Sequence, residues 1–147
     1  MKRNLTVFLM AAALTVSSLA CKLLNGSQPA PADTSSPISN IYMAKDAEGL
    51  NKTNVFAPTD AIYVFFDANE PEVGTTFEAR WYVLNVPDQV DPNVPFTTSN
   101  YVYEGGSTTI HAYVQSSHED GFLPSEWRVE IYMDGVKVGE QQFSIVE

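Results

Sequence analysis

Apolar and polar residues alternate in four short runs of this chain, and no long segment repeats with the period of a helix. The runs begin near Ala61, Thr76, Thr108 and Glu126, and in each of them every second residue is apolar. Successive side chains of a β-strand point to opposite faces of its sheet, so this pattern is typical of strands with one buried face. The alternation therefore predicts that residues 38–147 form an all-β domain.

The phase of each run separates the residues that face the core from those that face outward. The predicted core residues are Ile62, Val64, Phe66, Phe77, Ala79, Trp81, Val83, Ile110, Ala112, Val114, Trp127, Val129, Ile131 and Met133. The predicted outward residues are Tyr63, Phe65, Asp67, Glu78, Arg80, Tyr82, Thr109, His111, Tyr113, Arg128, Glu130 and Tyr132. We expect Trp81 and Trp127 to lie between two sheets.

Weaker runs at residues 39–45, 97–103 and 137–146 bring the number of predicted strands to seven. Asp134 and Gly135 separate the last two, and this dipeptide is a strong hairpin signal. Seven strands in about 110 residues, with turn residues between them, indicate a single β-sandwich of antiparallel strands. An open barrel with a similar number of strands is the alternative.

Three segments carry a resemblance to a known group of domains, namely FAPTDAIYVFF, EARWYVLN and GFLPSEWRVEIYMDGVKVGEQQFSI. Together they resemble the immunoglobulin-like sandwich domains of bacterial surface lipoproteins. Those domains have a Trp on the third strand, as at Trp81, and a Leu-Pro-x-Gly-x-aromatic segment before a strand that ends in Asp-Gly. Here Leu123, Pro124 and Trp127 stand in the corresponding segment, with Trp127 one position before the aromatic residue of the pattern and Glu126 in place of the Gly. The resemblance implies an immunoglobulin-like fold and no common activity.

The single cysteine, Cys21, follows a short apolar run at residues 5–20 that is preceded by Lys2 and Arg3. Basic residues before an apolar run that is short for a membrane span are typical of an export signal. Residues 18–21, Ser-Leu-Ala-Cys, resemble a bacterial lipobox in which Ser18 and Leu19 have exchanged places. An exported domain rarely keeps one unpaired thiol, so we predict that Cys21 is lipidated. A free N-terminal cysteine and an uncleaved anchor are the alternatives.

These features divide the chain into a lipoprotein signal peptide (residues 1–20), a lipid-attachment cysteine with a flexible tether (21–37) and the β-domain (38–147). The tether is rich in Ser, Pro, Ala, Asn and Gly, a composition that does not bury enough apolar surface to fold. Two or three acyl chains such as palmitate would hold the protein on the membrane. In a cell with two membranes we expect the outer one, because Lys22 follows the cysteine where an Asp would favour inner-membrane retention.

The formal net charge is −10, and removal of the signal with its two basic residues would make it more negative. Nucleic acids and anionic lipid surfaces are bound by basic patches, so the composition disfavours both. We expect no nucleic-acid partner, and expect instead an envelope protein or a surface ligand.

Motifs that carry catalysis are missing from the sequence. It contains no G-x-S-x-G, H-E-x-x-H or Gly-rich phosphate loop. Its two histidines, His111 and His118, do not make up a Cys/His zinc site. The acidic segments DANEPE, PDQVDPN and SSHEDG offer the oxygen ligands that calcium prefers, but none has the spacing of a calcium loop. We therefore expect no enzyme activity and no cofactor, with calcium as the alternative to solvated loops.

Two surfaces are candidates for binding. Antiparallel strands place the connections at residues 46–60, 85–95 and 116–126 at the end of the domain away from the tether. The candidate partner or cation ligands there are Asp88, Asp91, His118, Glu119, Asp120 and Phe122. The second surface is the outer face of the third and sixth predicted strands, with Arg80, Tyr82, Arg128 and Tyr132. We expect opposite charges to pair across these neighbouring strands.

The sequence thus predicts a membrane-anchored extracytoplasmic lipoprotein that acts as a non-catalytic binding or structural module of the cell envelope. A protein inhibitor, or a subunit of an envelope or secretion complex that acts through the distal loops, is the alternative.

Overall fold

The computed structural model describes residues 36–86 and 90–147, so Cys21, the signal, most of the tether and Asp88 lie outside the described residues. The described part contains strands and turns but no helix, and hence no helix that could span a membrane. Its strands are β1 Ile38–Ala44, β2 Val55–Phe56, β3 Ile62–Ala68, β4 Thr76–Leu84, β5 Thr97–Val102, β6 Thr109–Val114, β7 Ser125–Met133 and β8 Val136–Ile145. The all-β prediction is confirmed, and each of the seven predicted strands is present.

The strands form two sheets, with the orders β1-β3-β6 and β2-β8-β7-β4-β5. All neighbours are antiparallel except β2 and β8, which are parallel. The alternative of an open barrel is wrong, because the described strands form two separate sheets.

Strand β2 was not predicted, and it makes eight strands rather than seven. It interrupts the connection predicted at residues 46–60. Its two residues are too few to alternate, and hydrogen bonds to β8 define it: Ser144 N donates to Asn54 O, and Val146 N donates to Phe56 O, both at 2.9 Å. A two-residue strand that exists only because it pairs with residues 89 positions later in the chain leaves no signal in its own local sequence.

The two sheets enclose the core, as the alternation predicted. Trp81 and Trp127 are 0% and 1% exposed. Of the predicted core residues, only Ala112 and Met133 are partly exposed, and the rest are buried. The core also includes residues that the strand pattern did not select, which are Ile38, Met43, Phe56, Ala68, Tyr103, Phe122, Phe143 and Ile145.

Phe65 is on the outer face of the three-stranded sheet, yet it is only 4% exposed. Its ring stacks on that of Tyr42 with centroids 5.0 Å apart, and the rings of His111 and Tyr63 lie at 5.2 and 6.3 Å. The connection after β1 folds back over this face, so that a Cβ on Gly49 would be 3.3 Å from the Phe65 ring. The alternation separated Phe65 from the face of Ile62, Val64 and Phe66, as observed, and a second layer of side chains covers its ring.

The strand directions give the domain two distinct ends. At the proximal end the chain leads into β1, where Asn69 N donates a hydrogen bond of 2.9 Å to Pro37 O. The connections β3–β4, β5–β6 and β7–β8 also lie there. At the distal end are the connections between β1 and β3, between β4 and β5, and between β6 and β7.

Candidate functional site

The three distal connections meet one another. Phe122 N donates a hydrogen bond of 2.8 Å to Pro58 O, which joins the connection after β6 to the one before β3. Asp60 accepts a hydrogen bond of 2.7 Å from Ala57 N and pairs with Lys45 Nζ at 2.7 Å. Burial opposes ionisation of Asp60, but these donors outweigh it and lower the pKa of the carboxyl. The distal end is therefore a connected structure held by specific bonds.

Gly121 allows the closest of these contacts. Its φ is +79°, and a Cβ at this position would lie 2.2 Å from Pro58 O. An L side chain would be strained by the backbone angle and would also collide with a backbone atom. Gly121 N also donates a hydrogen bond of 3.0 Å to His118 O, so Gly121 closes a turn at the point where the two connections touch.

A groove of about 190 Å³ opens between these connections. It is lined by Val83, Val90, Phe96, Ser116, His118, Gly121, Phe122, Leu123 and Trp127. Phe96 and Leu123 form its accessible apolar surface, being 54% and 46% exposed. Apolar walls with a few polar groups at the rim are typical of a binding site.

The structure places the predicted distal residues that it describes in two different settings. His118, Glu119 and Asp120 are exposed, as is Asp91. Phe122 is 5% exposed and packs edge-on against Trp127, with centroids 5.4 Å apart. The prediction of Phe122 as a surface contact is corrected, because its ring belongs to the core and reaches the site only as a groove wall.

Sequence reasoning missed Phe96 and Leu123, which contribute the exposed apolar surface of the groove. Phe96 lies between the connection predicted at residues 85–95 and the strand predicted at 97–103, and Leu123 was named only for the resemblance of its segment. Neither belongs to an alternating run. A bulky apolar residue inside a connection was the available signal, as in the segment Asn-Val-Pro-Phe that ends at Phe96.

Two acidic side chains at the distal end accept hydrogen bonds from backbone N–H groups of their own connections. Asp46 accepts hydrogen bonds from the backbone N–H groups of Leu50 and Asn51, at 2.9 and 2.7 Å, and these lower its pKa. Asp91 accepts one from Asn93 N at 2.9 Å. Within residues 36–86 and 90–147, no group of three or more His, Cys, Asp or Glu side chains is arranged to hold a metal ion.

The second candidate surface is the outer face of the five-stranded sheet. Strands β4 and β7 are antiparallel neighbours, with Tyr82 opposite Arg128 and Arg80 opposite Glu130. The Arg80 guanidinium lies 3.9 Å from the centre of the Tyr132 ring, and the Arg128 guanidinium lies 4.8 Å from that of Tyr82. Arg80 and Arg128 thus make cation–π contacts with tyrosine side chains across β4 and β7.

The expectation of charge pairs across β4 and β7 was wrong. Arg80 pairs with Glu78 and Arg128 Nε lies 3.2 Å from Glu130, so both salt bridges run along a strand. Side chains two residues apart lie on the same face, and across the two strands each arginine contacts a tyrosine ring instead of a carboxylate.

Glu130 is the buried charge of this face, with 7% of its surface exposed. Burial opposes its ionisation, but Lys137 Nζ and the Tyr132 hydroxyl donate hydrogen bonds of 2.6 and 2.8 Å to its carboxylate. Together with the nearby charge of Arg128, these donors lower the pKa of Glu130. The carboxylate thus joins β7 to β8.

Replacing Glu130 with glutamine should lower the free energy of unfolding by about 1 to 2 kcal/mol at neutral pH, because two charge-assisted hydrogen bonds are weakened. The lowered pKa means that this stabilisation is complete above the unfolded value of 4.5 and is lost as the pH falls below it. Urea unfolding at pH 7 and pH 3 should therefore show a difference between parent and variant that shrinks in acid.

Glu140 is the matched control, because its exposed carboxylate also pairs with Lys137, at 2.7 Å. The change Glu140→Gln should cost less than about 0.5 kcal/mol, as exposed pairs contribute little. A Glu130→Gln effect of equal size at both pH values would contradict the assignment.

Comparison with known proteins adds little to this geometry. No protein-family model matches the chain, and curated proteins give no match either. Among solved structures, the chain is similar to the Pseudomonas fluorescens alkylpurine DNA glycosylase AlkC bound to DNA containing an abasic site analog. The TM-score is 0.48 and the identity 10%, over 75% of this chain and 30% of the glycosylase chain. A likeness of this size carries no argument about activity.

Proposed function

We propose that this protein is a lipid-anchored extracytoplasmic lipoprotein, and that it acts as a non-catalytic binding module of the cell envelope. The observation that carries the proposal is that the chain enters the domain at one end and the apolar groove opens at the opposite end. Residues 36 and 37 lead into the proximal end, whereas the apolar groove opens at the distal end. A chain anchored at Cys21 would present that groove away from its point of attachment.

The apolar surface of the distal end supports a protein partner. Besides Phe96 and Leu123, the exposed large apolar residues at this end are Leu50, Val55, Val94 and Val146. Exposed apolar side chains that gather at one place mark interaction sites more often than scattered ones do. The acidic neighbours Glu119 and Asp120 favour a partner surface that is apolar at its centre and basic at its margin.

The strand orders support an immunoglobulin-like sandwich for the domain. In that fold, strands A, B and E share one sheet, and strands C, F and G share the other. Here β1, β3 and β6 would correspond to A, B and E, and β4, β7 and β8 to C, F and G. Trp81 would then be the buried tryptophan of strand C.

Site-specific photo-cross-linking on intact cells tests the distal contact. A photoreactive residue at Leu123 should give a discrete cross-linked product, whereas the same residue at Val73 should give none. Val73 is the matched control, because it is 75% exposed and lies in a proximal connection. Adding Phe96→Asp should reduce the Leu123 product at least about tenfold by placing a charge in the apolar wall.

The opposite pattern would contradict the proposal. A product from Val73 and none from Leu123 would move the contact to the proximal end. Equal products from both positions would indicate collisions without a defined site.

A further inference from the structure

The two sheets have four edge strands, and three of them are protected against pairing with another strand. In β1 the register shifts between Ser39 and Tyr42, and Asn40 adopts a φ of +51°. Strand β2 has only two residues. Beside β6, the hydroxyl of Ser107 bonds to both the N–H and the C=O of Thr109, and the hydroxyl of Ser99, which belongs to β5, donates to Tyr113 O. Bulges, short edges and covered backbone groups are the usual ways to prevent edge pairing.

Within residues 36–86 and 90–147, strand β5 has none of these protections. Its six residues, TTSNYV, include no charged residue and no proline, and their register with residues 76–81 of β4 is continuous. Tyr103 N donates to Thr75 O, so the backbone N–H groups of Tyr103, and by alternation those of Tyr101 and Ser99, point toward β4. By the alternation of an antiparallel pair, the N–H and C=O groups of Thr98, Asn100 and Val102 point away from β4.

A groove of about 200 Å³ runs beside this edge, between β5 and β6. Its floor is formed by the core residues Phe66, Phe77, Ala79 and Ile110, together with the partly exposed Ala112. Tyr101 also lines it and is 42% exposed. A strand added to β5 would place every second side chain over this floor, as strand addition requires.

We propose that β5 accepts an extended segment of a partner protein as a sixth strand of the five-stranded sheet. Alternate apolar residues of that segment fill the groove, and its backbone pairs with the outward groups of Thr98, Asn100 and Val102. This contact depends neither on the lipid anchor nor on the distal groove.

The negative charge of the domain favours a basic segment of another protein as the added strand. Glu104 follows β5 closely, and Glu72 begins the turn whose residue Gly74 donates a hydrogen bond of 2.8 Å to Tyr103 O. The end of the edge near Val102 is therefore acidic. A second copy of a chain with a net charge of −10 would be repelled, whereas a segment with basic residues at this end is attracted.

Synthetic peptides test the proposal with the full-length chain kept in detergent. The probes are acetyl-Lys-Lys-Val-Thr-Val-Thr-Val-amide for antiparallel pairing and acetyl-Val-Thr-Val-Thr-Val-Lys-Lys-amide for parallel pairing. One of them should slow hydrogen exchange of the Thr98, Asn100 and Val102 amides at least about tenfold. The Ser99 and Tyr101 amides, which already face β4, should change little.

Two controls separate strand pairing from other binding. The same peptide with alternate backbone amides methylated keeps its side chains but should bind at least about tenfold more weakly. The change Asn100→Pro removes one outward N–H and should weaken binding as much, whereas Asn100→Ala keeps the N–H and should bind like the parent. Proline is tolerated at such an edge position, and intrinsic tryptophan fluorescence reports whether the fold is kept.

Three results would overturn the proposal. The first is equal binding of the methylated and unmethylated peptides, and the second is protection without the alternating pattern. The third is protection of Thr98, Asn100 and Val102 before any peptide is added, because the edge would then be covered by this chain or by a second copy.

Discussion

Replacing Trp127 with alanine is expected to lower the free energy of unfolding by about 3 to 5 kcal/mol. The side chain is 1% exposed, and its ring lies 5.3, 5.4 and 6.0 Å from those of Phe96, Phe122 and Phe143. These three rings belong to separate parts of the chain, so they are held apart and cannot together fill the space that the indole leaves. A domain of this size is stable by only about 5 to 15 kcal/mol, so a large share of its stability would be lost.

Urea unfolding followed by circular dichroism measures this loss. Tyr113→Ala is a suitable control, because Tyr113 is an aromatic residue that is 54% exposed, and its truncation should cost less than about 1 kcal/mol. Trp127 also lines the distal groove, so the alanine variant should lose the distal cross-link even under conditions where it remains folded. An unfolding midpoint equal to that of the parent would contradict the central place of this ring in the core.

Replacing Cys21 with serine is expected to move the protein from the membrane fraction to the soluble fraction. Each CH₂ group buried in the bilayer contributes about 0.8 kcal/mol, and two or three acyl chains together hold a protein firmly. The serine variant has no thiol to receive a lipid. Mass spectrometry of the parent should show a diacylated or triacylated peptide that begins at residue 21.

The neighbouring change Lys22→Ser is the control, because it alters the same segment and leaves the cysteine in place. It should remain in the membrane fraction. A parent protein that is found in the soluble fraction with an unmodified Cys21 would contradict the proposed anchor, while the strand-pairing proposal for β5 would be unaffected.

The strands could be predicted because their signal is local. A strand with one buried face must alternate, so residues 62–66 or 127–133 show in a few positions which side chains face the core. The same rule placed Trp81 and Trp127 in the interior. Antiparallel succession of the strands was enough to place the connections at residues 46–60, 85–95 and 116–126 at one end.

Exposure was harder to predict than orientation. Phe65, Tyr82 and Glu130 lie on outer faces, yet all three are buried, so Tyr82 is corrected as an exposed contact residue of the sheet face. Phe65 is covered by the connection after β1, and Glu130 is enclosed by Lys137 and Tyr132. A strand pattern describes one layer, and the atoms that cover an outer face come from other parts of the chain.

The amino-acid sequence alone determined that residues 38–147 form an all-β domain, which residues make up most of its core, and where the single cysteine stands. Only the tertiary structure decided that β2 pairs with β8, that Phe96 and Leu123 line a groove, and that no segment in the described part of the chain protects the edge of β5. The physical reason is the range of the interactions. Alternation and turn residues act over a few positions, whereas grooves and sheet edges depend on which distant segments are neighbours, and on which strand is left without one.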